Sequence, residues 1–302
     1  MSAYTPIDLS TLPSPQVIES LDYETILGQM LDDLRSRDPA FTATVESDPA
    51  YKILEVAAFR ELLIRQRVND ACNAVMLAFA QGADLEQLGA LFGVSRNLIT
   101  PANPLAFPPV AAVFETDASL RKRIQLSLEG FSTAGPRGAY VFHALSIPQV
   151  KDVSVLGPDD DETIQPGQVK VYIVGIQPGA VSSDLITAVQ AKLSSDDVRP
   201  LTDQVEVSGA AIVSYDITAQ IYTFAGPDPA VVMASINAAA VALAEASRVP
   251  GRDLPLSAIY AALHQPGVER VVLTAPTADL IISPSQVAQI GTITITYAGV
   301  GE

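Results

Sequence analysis

From Ala50 to Gln81 the chain contains neither proline nor glycine. That interval has no strong helix breaker, and Asp48-Pro49 before it reads as an N-cap followed by proline in the first helical position. The pattern predicts one helix of about 33 residues ending before Gly82, roughly 50 Å long at the α-helical rise. Its second half carries an apolar stripe of Val68, Ala71, Cys72, Val75, Met76 and Phe79, at alternating steps of three and one. Arg65-Gln66-Arg67 interrupts the apolar face between the two halves. A helix beyond the usual globular length needs other helices to bury it. They can come from its own domain or from a partner, and the sequence leaves both open.

Upstream, Ser14-Pro15 opens a segment in which Val17, Ile18, Leu21, Ile26, Leu27, Met30, Leu31 and Leu34 recur at helical spacings. An irregular stretch from Arg37 to Glu46 follows. Downstream, Asp84 is placed to cap a short helix, Leu85 to Phe92, closed by Gly93. Pro101, Pro104, Pro108 and Pro109 then fall within nine residues, a density no regular element tolerates. The N-terminal domain is expected to end here, with segment 101–109 as a joint or hinge.

Beyond it, helical and strand patterns mix. Helices are predicted from Asp117, at 139–146, 182–193, 229–246 and 256–263. The first carries Leu120, Ile124 and Leu128 on one face, with Arg121, Lys122 and Arg123 around it. Strands are predicted at 150–156, 168–174, 204–207, 212–224, 268–273 and 290–297. Helices of modest length mixed with strands indicate α+β domains. Ala144 to Val153 also aligns without gaps with Ala262 to Val271, an offset of 118 residues. Each copy reads as a helix end, a proline stop and an alternating strand, and a later strand (Val169 to Val174, Ile293 to Tyr297) is expected to pair with each. Proline commonly follows helix ends, so convergence is the alternative to duplication. The expected fold class is α+β: an N-terminal helical domain with long helices (1–107), then two small, related α+β domains (108–209 and 210–302).

With 34 acidic and 18 basic residues the formal net charge is −16. Basic contacts to phosphate supply most non-specific nucleic-acid affinity, so no nucleic-acid partner is expected. Hydrophobic residues at 48% and charged residues at 17% argue against disorder. No apolar run approaches the ~18 residues of a bilayer span, so no membrane insertion is expected. The first eight residues lack the basic start and apolar block of a secretory signal. A single cysteine, Cys72, cannot form an internal disulfide, and folding in a cytoplasm is the expectation.

The candidates for chemistry are sparse. His143 lies within a helix and His264 at a helix end, neither with a second histidine four residues on. Cys72 belongs to the apolar stripe and reads as a packing residue. The loop Ser132 to Gly138 lacks the spacing of a phosphate-binding loop and reads as a helix connection. The acidic run Asp159 to Glu162 could attract Ca²⁺, but it lacks the alternating ligands of a calcium loop and reads as a solvated turn. No catalytic, cofactor-binding or metal-ligating residue is assigned, and no cofactor is expected.

Gly82-Ala83-Asp84-Leu85-Glu86-Gln87-Leu88-Gly89-Ala90-Leu91-Phe92-Gly93-Val94 resembles the G-A-D-L-x-x-L-A-x-x-F-G-V segment of phage baseplate J-like proteins. The stretch from Phe131 to Leu145 is similar to a second, more specific segment of that family. Asp117, Leu120, Arg121, Arg123 and Ile124 fit the helix that precedes it. The resemblance implies a wedge subunit of a contractile-tailed phage or a phage-tail-like bacteriocin. It implies as partners a second copy of the chain, an I-like wedge protein, and other baseplate, hub and sheath-initiating proteins. It also implies assembly in a bacterial host cytoplasm, a ring around the tail hub whose rearrangement triggers sheath contraction, and no catalysis. Two other readings stay open. A small hydrolase or ligand-binding protein would gather polar groups in a deep pocket. A receptor-binding fibre would show elongated β-repeats or a trimeric coiled coil.

Overall fold

The computed structural model describes residues 7–13, 15, 17, 19–40, 48–130, 137–226 and 228–301. The chain divides into two compact units, one built from Thr5–Arg96 with Thr116–Ile124, the other mainly from Asn97–Glu115 with Gln125–Glu302.

The first unit is helical. Helix α1 (Tyr23–Arg37) starts later than the apolar spacing from Ser14 onward suggests. The Asp22 carboxylate fixes the start by accepting from the Glu24 amide at 3.2 Å. Residues 14, 16 and 18 of that expected segment lie outside the described residues. Helix α2 (Pro49–Ala74) begins as predicted, with the Asp48 side chain accepting from the Ala50 amide at 2.8 Å. Ile26 and Leu27 of α1 and Ala58 of α2 are buried together, with Tyr23, Met30, Leu31, Tyr51, Leu54 and Leu62 packed around them. Asn69, buried on α2, pins the approach to α1. Its amide group donates to the Glu19 carbonyl and its oxygen accepts the Glu19 N–H, both at 2.9 Å.

The helix expected to continue to Gly82 stops at Ala74. A new turn forms in which the Phe79 and Ala80 amides both donate to Met76 O, at 3.0 and 2.8 Å. Arg121 takes the carbonyls of Leu77 and Ala80, at 2.7 and 2.6 Å; a helix continuing to Gln81 would have given the first of them to the Gln81 amide. Arg121 lies on α4 (Asp117–Gly130), a helix too distant in sequence for local pattern to weigh. Helix α3 (Gly82–Leu91) has Gln81 at its N-cap with no side-chain cap bond, so Asp84 sits in the first turn and is not the cap. Asp117 serves instead, its carboxylate accepting from the Gly82 amide at 3.0 Å. Gly93, at φ +68°, supplies the left-handed residue that closes the helix.

The second unit is α+β. Short strands β1 (Leu98–Thr100) and β2 (Val113–Phe114) pair antiparallel. The proline-rich segment 101–109 lies between them, bridged where Asn103 and Val110 exchange bonds of 2.9 and 3.0 Å. Near its tip Leu105 and Phe107 are exposed. Helix α5 (Arg137–Leu145), β3 (Val150–Leu156), β4 (Gln168–Gly175), α6 (Ser183–Leu193) and β5 (Gln204–Gly209) form one module. Its sheet order is β3-β4-β5, with β3 antiparallel and β5 parallel to β4. The parallel step needs a crossover, which α6 provides. Tyr140, Val153, Val171, Ile173, Val189 and Leu193 build the core between helices and sheet. Leu126 of α4 joins this core, and Leu128, expected on the buried face, is exposed.

The other module runs β6 (Ala211–Thr223), α7 (Pro229–Ser247), α8 (Leu256–Leu263), β7 (Val268–Ala275) and β8 (Gln286–Val300). By length and composition α7 could cross a membrane. Here its row of Val232, Ile236, Ala240 and Ala244, at four-residue steps, is buried, and the first three lie in this module's core. The sheet order is β7-β6-β8, so β7 pairs with the preceding β6 and not with the later strand. β6 carries the alternating buried residues Tyr215, Ile217, Ala219, Ile221 and Thr223, and a strand buried this way takes the centre, where both ladders are satisfied. The repeat survives locally. The Val150 amide donates to Ile147 O and the Val268 amide to Gln265 O, both at 3.0 Å and both at the same repeat position.

Candidate functional site

The residue types that could carry chemistry are dispersed. His143 sits half-buried on α5, edge-to-face against Phe142 with centroids 5.3 Å apart. Burial, helped by the nearby Lys192 charge, holds its pKa below the ordinary histidine value. His264 is exposed at the end of α8, in the other module. Cys72 is a free thiol on α2. In the acidic turn, Asp160 accepts from the Gly157 amide at 2.9 Å and pairs with Arg137, while Asp161 accepts from the Thr163 amide at 2.8 Å. These carboxylates hold their own loop and the start of α5. Of the loop Ser132 to Gly138, residues 132–136 lie outside the described residues. A cavity of about 250 Å³ opens beside β1 and the end of β4, lined by Ile99, Thr100, Gln149, Gln177, Ser182 and their neighbours, none of them ionisable. Among the described residues no three His, Cys, Asp or Glu side chains group to hold a metal.

Surfaces offer more. Helix α2 turns one face to α1 through Leu54, Ala58 and Leu62. Opposite it stand Ile53, Val56, Phe59 and Ile64, exposed by 69%, 62%, 52% and 63%. A helix apolar on both faces is one that other elements are built to cover.

The two α+β modules meet at a polar latch. Arg248, buried immediately beyond α7, donates to the carbonyls of Gly175, Ile176 and Gln177 at 2.8, 3.2 and 3.1 Å. Its other contacts are the Glu245 carboxylate oxygens at 3.2 and 3.0 Å. Lys151 of β3 pairs with the same carboxylate and donates to the Glu245 carbonyl at 2.6 Å. Burial raises the Glu245 carboxyl, but the Lys151 and Arg248 hydrogen bonds and charges outweigh it and hold the pKa below the usual range. Beside the latch Val174, Ala210 and Val287 form a small apolar seam with Tyr172. Sequence reasoning missed this latch. Its one trace is a cation just past the end of an alanine-rich helix, where it also suits the helix dipole; the carbonyls it captures have no side-chain signature.

A helix with a bare apolar face, and two modules latched to each other with no cluster of chemical groups among the described residues, are features of the class of assembly proteins. The comparisons with known proteins place it. Residues 46–103 match the baseplate J-like N-terminal domain, 132–209 the central domain and 215–296 the C-terminal domain. Baseplate protein J of Escherichia phage P2 is 44% identical over 289 residues, covering 93% of this chain and 94% of that protein. The chain belongs to the baseplate J-like protein family. A cryo-EM structure of the anti-feeding prophage baseplate contains a chain matched at 18% identity and a TM-score of 0.37, over 60% of this chain and 43% of that one.

Proposed function

We propose that this chain is a structural wedge subunit of a contractile-tail baseplate. Family membership supports the baseplate role. The observation that carries the finer reading is the second apolar face of α2, which a helical partner would cover. In this reading the chain folds in the host cytoplasm and enters the particle as three modules: residues 1–107 as a helical stem, 108–209 and 210–302 as α+β bodies. The stem bundles with an I-like wedge protein, a second copy joins it, and the bodies build a ring around the hub that touches hub and sheath-initiating proteins. Rearrangement of that ring releases sheath contraction, which requires interfaces with two arrangements of similar free energy.

The test is co-expression with the neighbouring open reading frames, followed by size-exclusion chromatography with mass determination. A stable complex of two copies of this chain with one partner is expected. A monomer that passes every neighbour without binding would overturn the reading.

A further inference from the structure

We propose that the outer edge of β8, over Ile293–Tyr297, pairs antiparallel with the same edge of a second copy and fuses two β7-β6-β8 sheets into one. The inference rests on the self-association proposed above and assigns its surface. β8 is bonded on one side to β6, and among the described residues no strand pairs with its other side. An unpaired edge presents a row of N–H and C=O groups, and monomeric proteins usually blunt it with charge or proline. The four outer strands of the two sheets differ in this respect. β3 carries Lys151 and Asp152, β5 Glu206, and β7 Glu269 and Arg270. β8 has neither a charge nor a proline from Gln286 to Val300. Irregular register on either side of Ile293–Tyr297 leaves a regular central run about 16 Å long.

The occupant follows from charge and symmetry. Two copies of a chain at −16 repel, and pairing β3, β5 or β7 with its own copy adds charged side chains along the seam. β8 avoids this. Its exposed side presents Thr294 and Thr296, which face each other when the run pairs with its own copy about Ile295, and threonine pairs across strands are favourable. Thr292, just before them, is held by Asp216 of β6, which accepts from its amide and its hydroxyl at 2.7 and 2.8 Å. A two-fold contact uses the same patch on both copies and so removes both open edges at once.

The full chain, purified alone, is examined by sedimentation equilibrium beside Thr294→Lys/Thr296→Lys and Thr294→Glu/Thr296→Glu, with circular dichroism confirming each fold. Wild type is expected to dimerise. Each double variant raises the dimer dissociation constant at least about tenfold, because like charges face each other across the seam. Mixing the Lys and Glu variants restores a dimer, which a merely misfolded variant could not do. Unchanged dimerisation of the variants, or no recovery on mixing, would overturn the proposal. So would a wild-type monomer whose Lys variant loses only a co-expressed partner, since the edge then takes a foreign strand. If variants still join the wedge partner in an unchanged two-to-one complex, this inference fails while the wedge reading stands. If wild type dimerises through β8 yet binds no neighbour, the reverse holds.

Discussion

Arg248 Nη2 donates to the Gly175 carbonyl at 2.8 Å, and Gly175 is the last residue of β4. The chain just past α7 in one module thereby caps a strand end in the other. The Ile176 and Gln177 carbonyls use the same guanidinium, which a lysine's single ammonium could not serve with the same planar fork. Arg248→Met should leave these acceptors unpaired and cost about 2–3 kcal/mol. Arg248→Lys should recover only part of it. Amide exchange at residues 174–177 and 286–290 checks this: protection should fall at the seam before it falls in either module's core.

Acid should loosen the same latch. The Glu245 carboxyl of the latch is raised by burial but held below its ordinary value by Lys151 and Arg248, and Asp117, at the start of α3 and outside the latch, is depressed by the Gly82 amide and then Arg96. A depressed carboxyl contributes stability that is present above its unfolded value, about 4 to 4.5, and is lost as pH falls through the lower folded value. Chemical denaturation from pH 7 to pH 3 should show wild-type stability dropping through that window. Glu245→Gln should be less stable at pH 7 and show a shallower drop. Over half of the Glu245 side chain faces solvent, so added salt should shrink the difference.

Tyr140 offers a spectroscopic check on the central module. Its buried hydroxyl donates to Asp203 Oδ2 at 2.7 Å, and burial, then the Asp203 bond and charge, push the phenol far above its ordinary value. In an alkaline absorbance titration one slow fraction of the nine tyrosines should ionise only as the fold is lost. Tyr140→Phe should remove part of that late fraction and cost about 1 kcal/mol.

Much of this was legible in local pattern. Asp48-Pro49 opens α2, Leu256–Leu263 is helical and Val150–Leu156 is a strand, because capping chemistry and side-chain period are written in adjacent residues. What escaped depends on residues distant in sequence. α2 stops at Ala74, and the Leu77 and Ala80 carbonyls beyond it go to Arg121. Asp117, not Asp84, caps α3. β7 chooses β6 over β8 because the most regularly buried strand wins the centre of the sheet. The same holds for the candidate surfaces: the apolar content of α2 is plain in sequence, but which half of it α1 covers is not.

That division of α2 yields the sharpest separation of folding from assembly. Ala58 is fully buried against α1, with Ile26 and Leu27, whereas Val56 and Ile64 on the same helix are bare. Ile26→Ala should cost about 2–4 kcal/mol through lost burial and a residual cavity, and should lower the melting temperature of the helical unit. Val56→Lys/Ile64→Glu touches no buried contact and should change stability by no more than about 0.5 kcal/mol per site. The same double variant should nevertheless fail to enter a complex with the co-expressed wedge partner, because a helical neighbour would have to desolvate two charges on the face it covers. A variant that is as stable as wild type and still forms the complex would move the partner's contact off α2. One that unfolds would show that this face is packed within the chain.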